Sequence, residues 1–464
     1  MKAPGEILLV ACYELGHQPL AVAWPAAFLE RLGFQPAVMD VSVEPFDVEK
    51  VRRAKLVAIS VPMHTALRLG VEVADRVRAT NPRCHIAFYG LYAGLNAEYL
   101  FSHGAQSVLS GEVEAPLAEL AQALETGGAP PAFVNQPGHV ASPHLRRLDF
   151  PVPSRTRLPA LKTYSHLERD DRHEPVGYVE ASRGCLHLCR HCPIPPVYGG
   201  RFFAVPADVV IADVRQQVAA GAGHITFGDP DFLNGPTHAR AVAQALAARF
   251  PGTTFDVTAK IEHLIGHPEL LPLLARAGCV FVVSAVESLS DTVLAHLQKG
   301  HTRADVVQAL ALVRAAGLAL RPSLVSFTPW TTLDDYLDVL DWVDAEGLWE
   351  HVDPVQWTIR LLVPPGSLLE HDPVMTPHLG RLVPSAFAYE WRHPDARMDR
   401  LHAQVTQAVK QGVREERAAR VIFEHVRAHA EAWARPEERR SRPRKKAPPR
   451  QRRPVPRLTE PWFC

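Results

Sequence analysis

The chain has 464 residues, about three times the usual length of one domain, so at least two domains are expected. Its 50 Lys and Arg balance 50 Asp and Glu, which excludes a global positive field for nucleic acid, and 47% hydrophobic residues exclude a disordered or fibrous chain. Residues 1–20 lack the features of a signal peptide, and no run of about eighteen apolar residues occurs. We therefore expect a cytoplasmic protein without membrane contact.

Residues 1–126 alternate short apolar runs with amphipathic stretches, a pattern typical of a parallel α/β sheet. The predicted strands are 7–11, 37–41, 56–60, 85–89 and 107–109. This predicts a flavodoxin-like or Rossmann-like doubly wound domain, in which ligands bind at the carboxyl ends of the strands. Residues 127–174 are rich in Pro, Gly, Arg and His without a sustained period, so they are predicted to form a linker.

A second α/β series occupies residues 175–370. The predicted strands are 177–181, 225–228, 255–258, 280–285, 323–327 and 355–362. Six repeats are too few for a closed eight-stranded barrel and predict a partial (βα)6 barrel of the TIM type, with functional residues at the carboxyl ends of its strands. Residues 371–434 are predicted to be a mainly helical extension. Residues 435–464 are rich in Lys, Arg and Pro and are predicted to be a disordered basic tail.

Three cysteines follow the first predicted strand of the second domain in a C-x3-C-x2-C loop: Cys185, Cys189 and Cys192. Seven cysteines in the chain are too few for a disulfide framework, so this cluster indicates metal chemistry. A [4Fe-4S] cluster usually takes four thiolates, so three leave one iron open to another ligand. The alternatives are an accidental grouping or a zinc site completed by His187 or His191, although no second Cys pair is present.

At this loop the sequence resembles the radical S-adenosylmethionine (SAM) superfamily, over residues 177–369. The resemblance implies that the three cysteines hold a [4Fe-4S] cluster whose fourth iron binds the methionyl amine and carboxylate of SAM. It also implies that one electron from the cluster cleaves the sulfonium to give a 5′-deoxyadenosyl radical. An electron donor of the flavodoxin or ferredoxin type and a small-molecule or peptide substrate are then expected, and the sequence does not name that substrate.

Six residues at predicted strand ends are candidate SAM contacts: Gly228, Asp229, Lys260, Glu262, Glu287 and Ser288. Gly228-Asp229 resembles the family's Gly-Gly-Glu segment, with Asp in place of Glu, and Glu287-Ser288 resembles its Glu-Ser ribose segment. The alternatives are a simple turn at Gly228 and solvated strand-end charges at the other positions. Arg321 is a further anchor or a surface charge.

The first domain resembles the α/β domain that precedes the barrel in many radical SAM enzymes and binds cobalamin. Residues at its predicted strand ends are the candidate contacts: His64, Gly90, Gly94 and Gly111. The Asp-x-His-x-x-Gly motif of other cobalamin proteins is absent, because residues 12–17 read Cys-Tyr-Glu-Leu-Gly-His, so that axial histidine is missing. His17 is a second histidine of interest. The alternative is a domain that keeps the fold and binds no corrinoid.

Residues 389–399 and 461–464 resemble a bacterial radical SAM group whose members end in Cys-Cys-Ala-Glu-Pro or Cys-selenocysteine-Ala-Glu-Pro. This sequence stops at Cys464, where the second Cys or selenocysteine would follow. We expect a UGA selenocysteine codon after Cys464, and any other stop codon there would contradict this expectation. A thiol–selenol pair on such an arm would suit a redox relay.

The sequence thus predicts a [4Fe-4S] radical SAM enzyme, with methyl transfer as the expected reaction if cobalamin binds. An iron–sulfur and corrinoid carrier or redox protein without radical turnover is the alternative, and cleavage of SAM separates the two. RNA modification through the basic tail is a third hypothesis, and the neutral remainder of the chain argues against a nucleic-acid partner.

Overall fold

A five-stranded parallel sheet forms the N-terminal domain of the protein. The computed structural model describes residues 1–139, 141–169, 172–434 and 455–459. The strands are β1 (Ile7–Ala11), β2 (Ala37–Asp40), β3 (Leu56–Ser60), β4 (His85–Tyr89) and β5 (Ser107–Leu109), in the order β2-β1-β3-β4-β5. The helices are α1 (Leu20–Arg31), α2 (Val48–Arg53), α3 (His64–Thr80), α4 (Leu91–Leu95), α5 (Ala97–Ser102) and α6 (Glu114–Thr126).

Both faces of this sheet are buried, which explains why its strands are apolar at every position. In β1, Ile7 and Leu9 pack into the core shared with α1 and α6, whereas Leu8 and Val10 pack into the core shared with α3 and α5. Continuous apolar strands are typical of parallel sheets covered by helices on both sides. The predicted doubly wound domain is confirmed.

The second half of the chain forms a curled sheet followed by a hairpin and two helices. Its strands are β6 (His166–Arg169), β7 (Arg172–Val179), β8 (Ser182–Gly184), β9 (Phe202–Ala204), β10 (His224–Phe227), β11 (Thr254–Thr258), β12 (Cys279–Glu287), β13 (Ala319–Leu324), β14 (Leu379–Val383), β15 (Ala388–Trp391) and β16 (Arg457–Leu458). Its helices are α7 (Ile194–Tyr198), α8 (Ala207–Ala219), α9 (Pro236–Arg249), α10 (Ile261–Gly266), α11 (Leu270–Arg276), α12 (Asp291–His296), α13 (Arg303–Ala315), α14 (Leu333–Glu346), α15 (Ala396–Arg414) and α16 (Ala419–Trp433).

The main sheet has the order β13-β12-β11-β10-β7-β6-β16. Strands β7 and β10 to β13 are parallel, and β6 and β16 add antiparallel pairs at one edge. This confirms the predicted partial barrel, with all five parallel strands ending at the same edge. Among the described helices, none has the length and apolar character required to cross a bilayer.

The sixth predicted strand of the barrel is wrong. Residues 355–362 are not a strand, because Pro354 begins a 3-10 helix over Pro354–Thr358, and an isolated bridge joins Phe327 to Arg360. The predicted linker 127–174 contains β6 and the start of β7. The extension 371–434 has the two predicted long helices, α15 and α16, and also contains the hairpin β14-β15, which the sequence analysis does not predict.

Part of the predicted disordered tail is ordered. Residues 455–459 return to the barrel, where β16 pairs with β6 and the Thr459 amide donates to the His166 oxygen at 2.9 Å. The edge of β6 provides the backbone groups that pair with β16, and the composition of the tail does not indicate this pairing. Residues 435–454 and 460–464, including Cys464, lie outside the described residues.

A buried arginine joins the linker to both domains. The Arg155 guanidinium donates to both carboxylate oxygens of Asp213 at 2.7 and 2.8 Å. It also donates to the main-chain carbonyl oxygen of Tyr178 at 2.6 Å and to Gln18 Oε1 at 3.1 Å. Asp213 is on α8 and Gln18 precedes α1. This one side chain therefore bonds to residues of both domains.

We expect Arg155→Met to lower the free energy of unfolding by about 3–5 kcal/mol, because it leaves the buried Asp213 carboxylate without its partner. Arg157→Met is the matched control: Arg157 is exposed and pairs with Glu30 at 3.2 Å, so its loss should cost about 0–1 kcal/mol. Urea unfolding followed by circular dichroism measures both. Equal midpoints for the two variants would contradict the structural role of Arg155.

Candidate functional site

The three motif cysteines lie in a loop that directly follows β8. Gly184 ends that strand with φ of +70°, and a Cβ there would clash with the Arg201 carbonyl oxygen, so the turn requires glycine. All three thiols are free; Cys185 and Cys189 are buried and Cys192 is partly buried. Burial raises the pKa of Cys192 to about 12. Three thiols in one short, sheltered loop suit thiolate ligation of an iron–sulfur cluster.

A buried lysine provides positive charge beside this loop. Lys299 Nζ lies 3.2 Å from Glu287 Oε1, and His191 Nε2 lies 3.2 Å from the same oxygen. Burial alone would raise the pKa of Glu287, but Lys299 and His191 together lower it to about 2. Glu287 has φ of +62°, an uncommon conformation for a residue other than glycine and one that is concentrated at functional sites. The sequence does not single out Lys299, because it lies in a loop between two helices and belongs to no motif.

Gly228 and Asp229 follow β10 at the same edge of the sheet. A Cβ at Gly228 would clash with the Tyr178 ring. The buried Asp229 carboxylate accepts hydrogen bonds from the Ala181 amide at 2.9 Å and the Ser182 hydroxyl at 2.6 Å. Burial raises the pKa of Asp229 to about 7. Both of its oxygens are therefore occupied by protein donors, and its contact with a methionyl amine stays a prediction.

The other candidate SAM contacts also lie at strand ends. Lys260 follows β11 and is buried, with its Nζ 3.3 Å from Glu262 Oε2. Ser288 follows β12 and accepts a hydrogen bond from the Ser290 amide at 3.1 Å. The structure thus brings all six residues to the edge that carries the cysteine loop. Arg321 is within β13 and is not a surface charge, because it is buried.

A cavity of about 280 Å³ lies inside the curled sheet. Three parts of the chain line it: the loop after β1 contributes His17, the barrel contributes Tyr178 and Arg321, and β16 contributes Leu458. Arg321 pairs with Asp353 at 2.7 Å. His17 stacks on Tyr178 with ring centroids 4.6 Å apart, and its Nδ1 has no hydrogen-bond partner within the described part of the chain. Burial lowers the pKa of His17 to about 4, which keeps the imidazole neutral.

The four candidate cobalamin contacts each touch another part of the protein. The contacts are His64 Nε2 with the Ala386 oxygen at 2.8 Å, Gly90 with Val61, Gly94 with Ser110 and Gly111 with His144. At each glycine, an added Cβ would come within about 3 Å of protein atoms, so the close approach of the neighbouring segments requires glycine at these positions. Contact of these residues with cobalamin stays a prediction.

Arg183 connects the cysteine loop to the N-terminal domain. It is in β8 and lies 2.5 Å from Glu114, 3.6 Å from Glu112 and 2.9 Å from Glu180. The Tyr198 hydroxyl donates to Glu112 at 2.9 Å. Burial and the neighbouring carboxylates raise the pKa of Glu112 to about 7, against the opposing charge of Arg183. A buried network of charges therefore holds the strand that leads into Cys185.

The comparisons with known proteins agree with this architecture. Residues 179–347 match the family model described as the Radical SAM superfamily. The chain contains a radical SAM domain. The matched residues begin at the end of β7 and include the three cysteines and all six candidate SAM contacts. Domains of this family use a [4Fe-4S] cluster and SAM.

Relatives in sequence match only part of the chain. The ribosomal protein uS12 methylthiotransferase RimO of Geobacter sulfurreducens is 26% identical over 184 residues, which are 36% of this chain and 40% of that protein. The tRNA-2-methylthio-N(6)-dimethylallyladenosine synthase of Sorangium cellulosum is 27% identical over 208 residues, 38% of this chain and 40% of that protein. The chain thus spans about two fifths of these relatives.

A solved structure covers nearly the whole chain. The cobalamin-dependent SAM radical enzyme OxsB, with aqua-cobalamin bound, aligns with 92% of this chain and 71% of its own at a TM-score of 0.70 and 15% identity. At this identity the likeness establishes a shared fold.

We expect Asp229→Asn to change how stability depends on pH. The folded-state pKa of about 7 exceeds the ordinary 3.8, so the folded protein keeps a proton that the unfolded chain loses above pH 4. This contribution to stability is present at low pH and disappears as the pH rises through 7, by up to about 4 kcal/mol. The amide imitates the protonated carboxyl, so the variant should gain stability relative to the parent as the pH increases.

Thermal unfolding of both proteins without added cofactor at pH 5 and pH 8 measures this gain. Asp75→Asn is the control, because Asp75 is exposed on α3. A difference between Asp229→Asn and the parent protein that is the same at both pH values would show that Asp229 does not change its protonation in the folded protein between pH 5 and pH 8, which would contradict the prediction.

Proposed function

We propose that this protein is an enzyme that reductively cleaves SAM, with a [4Fe-4S] cluster held by Cys185, Cys189 and Cys192. The observation that carries the proposal is the position of three free thiols in one sheltered loop, at the strand-end edge of a radical SAM domain. A cluster held by these thiolates would pass one electron from an external donor to SAM, and cleavage of the bond between the sulfonium sulfur and C5′ would give methionine and the 5′-deoxyadenosyl radical.

The surrounding residues have separate roles in this proposal. The Lys299 ammonium offsets the negative charge of the thiolates, and Glu287 holds that ammonium in place at 3.2 Å. Ile194, two residues after Cys192, lines the barrel cavity. The cavity therefore adjoins the cysteine loop, and we assign it to the reacting part of the substrate. Its walls, including His17 and Leu458, limit the access of water to it.

Methyl transfer with cobalamin is a second candidate function. The fold favours it, because OxsB is a cobalamin-dependent enzyme and the SAM methyltransferase TsrM from Kitasatospora setae aligns with 73% of this chain and 70% of its own at a TM-score of 0.59 and 19% identity. The four predicted cobalamin contacts, His64, Gly90, Gly94 and Gly111, stay a prediction within this candidate function.

We expect anaerobic reconstitution with iron and sulfide, followed by reduction and addition of SAM, to yield 5′-deoxyadenosine. The variant with Cys185, Cys189 and Cys192 all changed to Ala should lose cluster absorbance and at least about a hundredfold of this product, because no group remains to ligate iron. Cys84→Ala is the matched control, since Cys84 is a free, buried cysteine of the N-terminal domain. Chromatography of the nucleoside products provides the measurement.

The same assay separates the alternatives. A bound cluster without SAM cleavage would overturn the proposal and support a carrier or redox protein. Formation of S-adenosylhomocysteine only when cobalamin is added would establish methyl transfer. If 5′-deoxyadenosine formed equally with and without cobalamin, the radical SAM domain alone would account for the cleavage of SAM.

A further inference from the structure

Two histidines and one aspartate converge beside the cysteine loop. His187 lies within that loop, Asp231 follows β10, and His263 is on α10. One ligand atom from each of the three side chains lies within 4.8 Å of the others. Asp231 Oδ2 is 2.6 Å from His263 Nδ1 and 4.0 Å from His187 Nε2, and the two Nε2 atoms are 3.3 Å apart.

The aspartate is the most deeply buried of the three side chains. Its side chain is fully buried, and its Oδ1 accepts a hydrogen bond from the Leu233 amide at 3.0 Å. Its Oδ2 pairs with His263 Nδ1 at 2.6 Å, but neither atom has a partner with hydrogen-bond geometry among the described residues. A fully buried carboxylate is costly unless it is paired or coordinates a cation, so a metal ion at this point would complete the surroundings of Oδ2.

We propose that His187, Asp231 and His263 bind a divalent transition-metal ion such as Zn²⁺, separate from the iron–sulfur cluster. Two imidazoles and one carboxylate are the protein ligands of many sites that keep a further position for water or an anionic oxygen. Glu262 Oε2 lies 3.5 Å from His187 Nδ1, on the opposite side of the ring from the other two ligands. Carboxylates in this position orient metal-bound imidazoles.

The ion would connect three segments that are far apart in the sequence. His187 belongs to the segment between Cys185 and Cys189, so metal binding would fix this segment against α10 and the loop after β10. This inference does not depend on SAM cleavage, because an inert enzyme would still bind the ion and an active enzyme could lack it.

The test is equilibrium dialysis of the full-length, cluster-reconstituted protein against 1 µM free Zn²⁺ held by a chelator buffer, a concentration of the order expected to saturate a structural or catalytic site. We expect about one zinc per chain in the parent protein and in His267→Ala, and at least about tenfold less in His263→Ala. His267 is the matched control, because its ring is 6.1 Å from that of His263 and lies outside the proposed ligand set. Elemental analysis counts zinc and iron in the same sample.

Asp231→Asn provides a second variant in case His263→Ala fails to fold. It retains an oxygen that can accept from Leu233 but replaces the proposed ligand atom Oδ2 with an amide nitrogen, so it should also lose zinc. Absence of zinc from the parent protein, or equal zinc in His263→Ala and the parent, would overturn the proposal.

Cobalt binding identifies the ligands directly. We expect Co²⁺ to bind the variant lacking Cys185, Cys189 and Cys192 with the visible spectrum of nitrogen and oxygen ligands, and this spectrum should disappear when His263→Ala is added. If Co²⁺ bound the parent protein only through thiolates, as a sulfur-to-cobalt charge-transfer band would show, the metal would belong to the cysteine loop and the proposal would be wrong.

Discussion

The structure depends on the ionic contacts of Arg183 at the point where the two domains meet. This residue is mostly buried and pairs with three carboxylates, two from the N-terminal domain and one from the end of the first barrel strand. One guanidinium cannot balance three ionised carboxylates at low cost away from water, and burial together with the neighbouring carboxylates raises the pKa of Glu112 to about 7. The strand that positions the cysteine loop is therefore docked against the N-terminal domain through charge complementarity.

Local patterns were sufficient to predict most of the fold and the cysteine loop. The apolar strands of the first domain are buried on both faces, so their sequence carries a strong signal. The spacing of Cys185, Cys189 and Cys192 is a local property that the structure does not alter. The edge strands β6 and β16 carry no such signal, because about 290 residues separate partners such as Glu168 and Arg457 and their pairing depends on tertiary contact.

The candidate site was predictable only where a motif marks it. Gly228 and Asp229 lie where the resemblance places them, but the Asp229 carboxylate is directed to Ala181 and Ser182, and this orientation depends on the packing of β8. Lys299 can be recognised as part of the site only from the structure, because its contact with Glu287 is a tertiary contact. Similarly, His263 and Asp231 are more than thirty residues apart in sequence, and only the neighbouring ends of β10 and β11 bring them together.

The choice of substrate depends on more of the chain than the radical SAM domain, as the wall of the barrel cavity shows. Its wall combines a histidine of the N-terminal domain, an Arg321–Asp353 pair of the barrel and a leucine from the returning C-terminal strand. The Pro456 carbonyl oxygen, which accepts from Arg321 at 3.2 Å, links that strand to the pair. Most of the polar groups that line the cavity, such as Asp256 and Arg321, lie within residues 179–347, whereas His17, Asp353 and Leu458 come from outside that region. The cavity is therefore shaped jointly by the radical SAM domain and by the segments that dock against it, and a ligand that fits it must match both contributions.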